Sequence, residues 1–508
     1  MPEDPRVRLT GLTDEQAAAP VLAALDDTAV DIVLGTDVHP PARLAAAATA
    51  AIAARLFREV AVHGDDTLPP NWWDAATVTE LVARVSSARS TVPAGPPARR
   101  VVLSFGAALP ADVSPTVGVG GGDYLALVGS AAQPVQPGTH ALGVHAAGCL
   151  AVGQLLAAAL ASSGAAPALE PLPTSYALDL LTHRLADDTR ADDTGDTGDP
   201  PTSLLHVVFA GAGSVASSAV ALLSMACGDA ERAMLYVEVV DDDAFDPARN
   251  VWRYPALTGG ETGSKAQYLG ARLRSLGLRA AGHHETVAQW THRQAGPGLD
   301  GLLVSSVDTL TGRLQVADVL ARQTLSLGVA GTALHAQRGG LGDGFACPYC
   351  DFVSAAPVFT QADVYAATTG LDLNRVLQLL QPGARLTDAD VARAAAAGKI
   401  SLGREAALPG RSLNDLVRQA YAEVQITAAS GDVIAVASPH VSWFAGVLAA
   451  VEVVKQVRGL PLLDRRVDAD VAGLPPGLVR RRPADPTGRC VCRSGVRRRW
   501  HRELYGAA

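Results

Sequence analysis

Four polar residues of the types needed to handle a triphosphate follow one another through the middle of this chain: Asn250, Arg253, Lys265 and Asp308. Two cations and an amide can neutralise phosphate oxygens, and a carboxylate can hold Mg²⁺ beside them. Ahead of them stand Gly211 and Gly213, with Ala216 where a dinucleotide fingerprint has its third glycine. The two glycines permit a tight turn and let backbone N–H groups approach a phosphate at a helix N-terminus. G-x-G-x-x-A alone is a weak signal, which a nicotinamide enzyme would share. The next apolar run ends in Asp241, Asp242 and Asp243, carboxylates suited to a ribose hydroxyl. The trailing Asn, Arg and Lys have no use in a dinucleotide dehydrogenase and a clear use in a site that splits a triphosphate.

A second constellation is made of thiols. Cys347 and Cys350 are spaced C-x-x-C, and Cys490 and Cys492 are spaced C-x-C. Thiolates two or three residues apart on a turn can share one tetrahedral zinc. A redox C-x-x-C competes for the first pair, but no thioredoxin-like strand precedes it.

Hydropathy shows which elements must position these groups. Residues 207–210 read as a buried parallel strand, 214–227 as the helix after it, and 234–240 and 302–306 as two further strands. Taken in this order the residues resemble the ThiF, MoeB and ubiquitin-activating superfamily, whose pattern reads G-x-G-x-x-G, D-x-D, N-x-x-R, K, then D. The resemblance covers about 205–331, and the end of the chain rejoins it. It implies a Rossmann-like doubly wound α/β sheet of the ThiF/MoeB type. It also implies an ATP-dependent enzyme that adenylates the C-terminal carboxylate of a peptide, a ubiquitin-like protein or a sulfur carrier. In that scheme Gly211 and Gly213 hold the adenylate phosphate, and Asp241 or Asp243 the ribose. Asn250, Arg253 and Lys265 stabilise the α-phosphate and the leaving pyrophosphate, and Asp308 holds Mg²⁺; Arg313, five residues past Asp308 as in the family, reads either as a support for the same site or as a helix-surface charge.

The family's usual spacing would select Asp242 as the first carboxylate and leave Ala244 in place of the second. Asp241 with Asp243 is preferred, because Asp246-Pro247 then matches the acidic-Pro step of such loops. The resemblance implies a shared zinc for the two cysteine pairs, although the C-x-C spacing departs from the family and leaves His501 as a substitute ligand. Relatives that form a thioester keep a cysteine within 351–425, where this chain has none. Cys149 and Cys227 lie in apolar helical stretches, where an inert thiol is expected. Family enzymes work as homodimers or intrachain pseudo-dimers, often with an arginine from the other half that this sequence does not identify.

The chain has 508 residues, enough for two or more domains. Hydrophobic residues make up 48% and charged residues 18%, which is globular. A net charge of −9 argues against general affinity for nucleic acid, and the arginines of the tail read as charge balance against an acidic body. No run approaches the length of a membrane span, so no membrane partner is expected. The N-terminus lacks signal-peptide character, and six cysteines do not make a disulfide framework. A cytosolic enzyme is the expectation.

The chain divides into an N-terminal α/β domain (1–185), an acidic linker (186–203), an ATP-binding domain (204–350), a helical insertion (351–425), and a completing segment with a zinc-binding tail (426–508). The first domain reads either as an inactive copy of the activating-enzyme half or as an unrelated α/β unit. Its strands are expected at 31–35, 101–105, 124–128 and 175–181, and its helices at 45–58 and 141–161. Residues 118–122 read as a flexible glycine loop, and His39 and Arg43 as surface residues. The insertion should begin helices at Thr360 and at 386–391, with 369–377 a turn into a further helix, and the last segment should hold a strand at 432–437 and a helix at 441–457. Two other functions stay open: a nicotinamide-dependent oxidoreductase, and a non-catalytic scaffold that presents a precursor peptide to a modifying enzyme.

Overall fold

A computed structural model describes residues 15–87, 97–106, 116–162, 176–186, 204–246, 250, 252–294, 296, 298–307, 310–330, 333–339, 341, 344–350, 362, 365–366, 369–381, 383–397, 399–400, 408–413, 416–417, 438–471, 479–481 and 483–506. They build two β-sheets. The first contains β1 (Thr28–Leu34), β2 (Glu59–His63), β3 (Arg99–Phe105), β4 (Thr116–Gly121), β5 (Leu125–Gly129), β6 (Tyr176–Asp179) and β7 (Arg184–Ala186), in the order β2-β1-β3-β4-β5-β6-β7. The pairings from β2 to β4 are parallel, and those from β4 to β7 antiparallel. Its helices are α1 (Glu15–Asp26), α2 (Pro40–Leu56), α3 (Val78–Ser86) and α4 (Leu142–Ser162).

The second sheet contains β8 (Leu205–Ala210), β9 (Leu235–Val240), β10 (Arg279–His283), β11 (Leu299–Ser305), β12 (Ala321–Ala330), β13 (Ala333–Gly339), β14 (Arg466–Asp470) and β15 (Val479–Arg480). Its order is β10-β9-β8-β11-β12-β13-β14-β15. The first five strands are parallel, and numbered from β8 they run 3-2-1-4-5. That is the doubly wound Rossmann arrangement, in which the chain reverses direction across the sheet beside its first strand. The fold class is therefore the expected one. Helices α5 (Ser214–Ala226), α6 (Asp229–Met234), α7 (Lys265–Ser275), α8 (Val287–Arg293) and α9 (Leu310–Asp318) accompany the parallel strands. Alternation in β8 explains how the sheet is covered on both faces. Val207 and Phe209 join the core with α5 and α7, whereas Val208 and Ala210 pack with Val287, Trp290 and Val316 from α8 and α9.

Beyond β13, α10 (Leu373–Leu379) and α11 (Asp388–Ala396) have a small core of their own that includes Val376, Leu379, Val391 and Leu416. Both begin at a side-chain cap, Asp372 and Thr387. Then α12 (Pro439–Val457) returns to the sheet and α13 (Gly495–Tyr505) ends the described chain. A single hydrophobic core runs through both sheets' helices, with α12 buried along its length. Small residues let the helices approach: a Cβ on Gly446 would sit 2.6 Å from the Ser218 Cβ, and one on Gly148 would sit 2.0 Å from the Thr49 hydroxyl. The Trp73 and Trp443 rings stack 5.8 Å apart across the seam.

Two expectations need correction, and four others fall outside the described residues. Residues 118–121 are strand β4 and not a flexible loop; the glycines admit a crossing segment, because a Cβ on Gly118 or Gly120 would meet the carbonyls of Ala131 and Pro134 at 2.0 and 2.3 Å. Among the described residues one helix, α4, is long and apolar enough to cross a membrane by length and composition, and 89% of the window Leu142–Ala159 is buried within the molecule. Its uniform apolarity follows from being packed on all sides. The acidic linker from 187, the helix start at Thr360 and the strand at 432–437 lie outside the described residues, as does Asp308.

Candidate functional site

The glycine turn sits at the C-terminal end of β8, at the reversal point of the Rossmann sheet, where such folds bind ligands. Gly211 has φ +94°, a conformation that disfavours a side chain, and its N–H donates to the Val240 carbonyl at 2.9 Å. Gly213 precedes the first turn of α5, and a Cβ there would meet nothing within 4 Å. The space in front of the helix is open, and its first N–H groups have no intrahelical acceptor. A helix start of this kind can receive an anion.

The polar residues gather round this turn. Asp241 accepts from the Ala212 N–H at 2.5 Å and from the Asp243 N–H at 2.7 Å, so its carboxylate ties the end of β9 to the glycine turn. Burial raises its pKa, against those two N–H bonds and the Lys265 charge. Lys265 opens α7 behind the cap Ser264, and its ammonium meets Asp243 at 2.8 Å. The lysine is largely buried, which opposes its charge, yet Tyr254, Asp243 and Asp241 raise its pKa overall and keep it cationic. Asn250 is buried; its side-chain oxygen accepts from the Asp246 N–H at 2.8 Å and closes the loop after β9. The Ser214 hydroxyl donates to the Arg253 carbonyl at 2.5 Å and brings that residue against the start of α5. The Arg253 side chain is exposed. Gly211, Gly213, Asp241, Asp243, Asn250, Arg253 and Lys265 are thus brought into one neighbourhood. Asp242 is exposed beside them, and the three adjacent carboxylates lie within 4.8 Å of one another.

The first sheet has an equivalent place, between β1 and α2, and its chemistry differs. Helix α2 begins with Pro40 and Pro41 behind His39, so two of its first-turn positions have no N–H to offer. The carboxylates after β2 have other partners: Asp65 pairs with Arg43 at 2.8 Å, and Asp66 accepts from the Thr79 N–H at 3.1 Å and from its hydroxyl. Between β2 and α3 the chain runs Asn71, Trp72, Trp73, Asp74, and α3 opens with Val78. Asp74 and Val78 therefore stand in the topological places of Arg253 and Lys265.

The four cysteines come together from segments far apart in the chain. Cys347 and Cys350 follow β13 on a turn, and Cys490 caps, and Cys492 lies within, a 3-10 turn before α13. Sulfur–sulfur distances are 3.5 Å for Cys347–Cys490, 3.9 Å for Cys347–Cys350, and 3.6 Å from Cys350 to both Cys490 and Cys492. Four thiolates about 2.3 Å from one zinc would stand about 3.8 Å apart, so the set fits a tetrahedral ion. The C-x-C spacing is no obstacle, because the 3-10 turn brings both sulfurs to one side. His501 is not a member of the cluster; it is buried against Tyr505, with ring centroids 4.8 Å apart. Asp485 accepts from the Arg489 and Cys490 N–H groups at 2.8 and 2.9 Å and shapes the second turn. Such an ion would tie the C-terminal tail to the second sheet. Cys149 and Cys227 are fully enclosed, and burial raises both thiol pKa values, that of Cys227 to about 12.

Sequence reasoning missed Arg55, Trp72 and Trp73, which reach the loop after Arg253 from the first sheet. No spacing marks them, although Asn71 four residues behind a pair of aspartates could have suggested a second N-x-x-R place. No family model matches the chain, and no curated protein matches it. Among solved structures, a crystal structure of E. coli MccB is similar over 57% of this chain and 65% of that chain, with 12% identity and a TM-score of 0.34. MccB with ATP covers 56% of this chain and 65% of its own, at 12% identity and TM-score 0.32. MccB with MccA-N7isoASN covers 57% and 67%, at 11% and 0.33. With likeness at this level, the roles of residues rest on this chain's own geometry.

Proposed function

We propose that the chain is an ATP-dependent adenylyltransferase, in which the second half binds ATP and the first half is an inactive partner of the same fold. The observation that carries this reading is the open N-terminus of α5 behind Gly213, with Asp241, Asn250, Arg253 and Lys265 gathered round it. The helix N-terminus would take a phosphate, and Arg253 and Lys265 the charge that develops as pyrophosphate leaves. A carboxylate of the acidic strand end would take the ribose, and Asp308 would hold Mg²⁺. The attacking group is the C-terminal carboxylate of a peptide or of a ubiquitin-like or sulfur-carrier protein. The product is the acyl adenylate: with four cysteines gathered as a zinc site and two sealed in helices, no thiolate is available for a thioester. Six free cysteines suit a reducing, cytosolic compartment.

The matching strand orders of the two sheets support an intrachain pseudo-dimer, with halves at about 1–185 and from 204. The test is ATP–pyrophosphate exchange against candidate peptides. Exchange that depends on a peptide and vanishes in Asp308→Ala is the expected outcome; NADH binding without ATP binding would overturn the assignment. One observation favours the non-catalytic scaffold as a second reading: Lys265 already has a carboxylate partner in Asp243. Absence of exchange with every peptide that binds would favour that reading.

A further inference from the structure

Four consecutive backbone carbonyls, those of Tyr254, Pro255, Ala256 and Leu257, accept hydrogen bonds from side chains of the first half. Arg55 donates to Tyr254 at 3.2 Å and to Leu257 at 2.5 Å, Trp73 to Pro255 at 3.2 Å, and Trp72 to Ala256 at 2.8 Å. The grip is reciprocal. From α7, Arg272 donates to the carbonyls of Asn71 and Trp72 at 2.9 and 2.8 Å and pairs with Asp74 at 2.7 Å. Just beyond the held carbonyls, Glu261 accepts from the N–H groups of Thr258 and Gly259, both at 2.8 Å.

The position of this contact gives it a consequence. The held carbonyls begin immediately after Arg253, whose own carbonyl is fixed by Ser214 at the start of α5. The backbone of Arg253 is therefore fastened on one side by the proposed phosphate-binding helix and on the other by the first half. Its guanidinium stays exposed, and no protein partner for it is found among the described residues. Using a fully buried arginine for this costs a charge its hydration, and neutral donors could have satisfied the same carbonyls. What arginine adds is a planar group whose Nη2 reaches two carbonyls three residues apart at once, while its Nη1 donates to the Ala51 carbonyl at 2.6 Å. The segment doing the holding, Asn71 to Asp74, occupies the place in the first half that the Asn250–Arg253 segment occupies in the second.

We propose that Arg55, Trp72 and Trp73 form a positioning clamp through which the first half, itself without the phosphate-binding residues, holds Arg253 of the second half against the N-terminus of α5. All three are buried, with none open to a substrate. The chemistry they tune rests on the adenylyltransferase reading above, while the clamp itself can be read without it.

The test uses the full chain with Arg55→Lys and Trp72→Phe, the second of which keeps an aromatic ring but removes the indole donor and part of the ring volume. His183→Gln serves as a control: it loosens a contact between the halves, the His183–Glu452 pair at 3.0 Å, away from the loop. Hydrogen exchange at the amides of Tyr254, Ala256, Leu257 and Thr258 reports the clamp, and ATP–pyrophosphate exchange reports its consequence. Both clamp variants are expected to exchange those amides at least about tenfold faster. They should lose about tenfold to a hundredfold in kcat, the scale of a small misplacement at a reacting centre, with KM for ATP nearly unchanged. The control should lose stability and keep both properties. Released amides with unchanged kcat would overturn the proposal, and so would amides that stay protected in both clamp variants. A kcat loss in the control equal to that in the clamp variants would reduce the clamp to ordinary stability. If the wild-type chain shows no exchange at all, the adenylyltransferase reading fails on its own, and the clamp stands or falls on hydrogen exchange.

Discussion

The two halves share a strand plan and differ at the few positions where a nucleotide would sit. Each builds its first strand, a helix, a neighbouring parallel strand, then parallel and antiparallel strands on the far side. In the second half the helix after the first strand opens behind a glycine with free space before it; in the first it opens with Pro40 and Pro41. In the second half, the carboxylates at the end of β9 border that space. The corresponding Asp65 and Asp66 are turned to Arg43 and Thr79. The second half also has β10 and α8, which have no counterpart among the described residues of the first. The difference teaches that two sheets can share a strand plan while the helix start and the strand end beside their first strands carry different chemistry. On the proposed reading, the loop of the first half serves instead to hold its partner.

The largest expected effect tests whether the polar set is the difference that matters. Arg253→Ala or Lys265→Ala should reduce AMP formation on the order of a hundredfold to a thousandfold, as loss of a preorganised charge does. Writing Asp74→Arg and Val78→Lys into the first half should create no second ATP site, because the donors of α2 are still missing. Detection of a second site by equilibrium dialysis would show that the helix start is not the barrier.

Transferring the prolines is the next test. Val215→Pro in the first turn of α5 removes one N–H donor at a position a helix tolerates. One hydrogen bond to a charged group is worth about 1.5–3 kcal/mol, so ATP affinity should fall about tenfold to a hundredfold with the circular dichroism spectrum unchanged. Unchanged affinity would remove the helix start from the account.

Metal removal should also separate the halves. Chelation, or Cys350→Ser, should loosen β15 and α13 and lower the melting temperature, while amides of the first sheet keep their protection. Equal loss of protection in both sheets would contradict a tether confined to the second.

The seam between the halves makes a pH prediction. Burial lowers the pKa of His140 to about 4, and of His145 and His440 to about 3; Asp123 partly offsets this for His140. The folded state keeps these rings neutral, whereas the unfolded chain protonates them below about 6.5. Their neutral burial therefore costs nothing above that pH. Stability falls as the pH drops from about 6.5 toward the folded values, by roughly 1.4 kcal/mol per pH unit for each ring. Urea unfolding at pH 7 and pH 5 measures this, and equal midpoints would contradict it. The smallest effect belongs to the first half's exposed carboxylates: Asp65→Asn should leave both the urea midpoint and ATP affinity unaltered.

Much of the second half was legible in the sequence because apolar runs marked its strands and glycines their ends. Expected and observed elements agree to within a few residues for β8, β9, α5 and α12. Strand β10, with Arg279 and His283, carries too little apolar signal to announce itself. The glycines of β4 read as a loop because glycine disfavours strands, and only a crossing segment elsewhere in the chain explains them. Helix α4 was legible as a helix, although its apolarity on every face matches that of a membrane span. In the site, residue type and order singled out Asn250, Arg253 and Lys265. Arg55 and the two tryptophans were invisible, because their partners are backbone carbonyls about 180 to 200 positions away, and no side-chain pattern encodes such a contact.

The central claim is that one nucleotide site exists and that it belongs to the second half. Equilibrium dialysis of radiolabelled ATP with Mg²⁺, on the intact chain and on Arg253→Ala, tests this most directly. The account predicts one ATP per chain, with binding weakened by the substitution. Two ATP per chain, or one that Arg253→Ala leaves untouched, would contradict it.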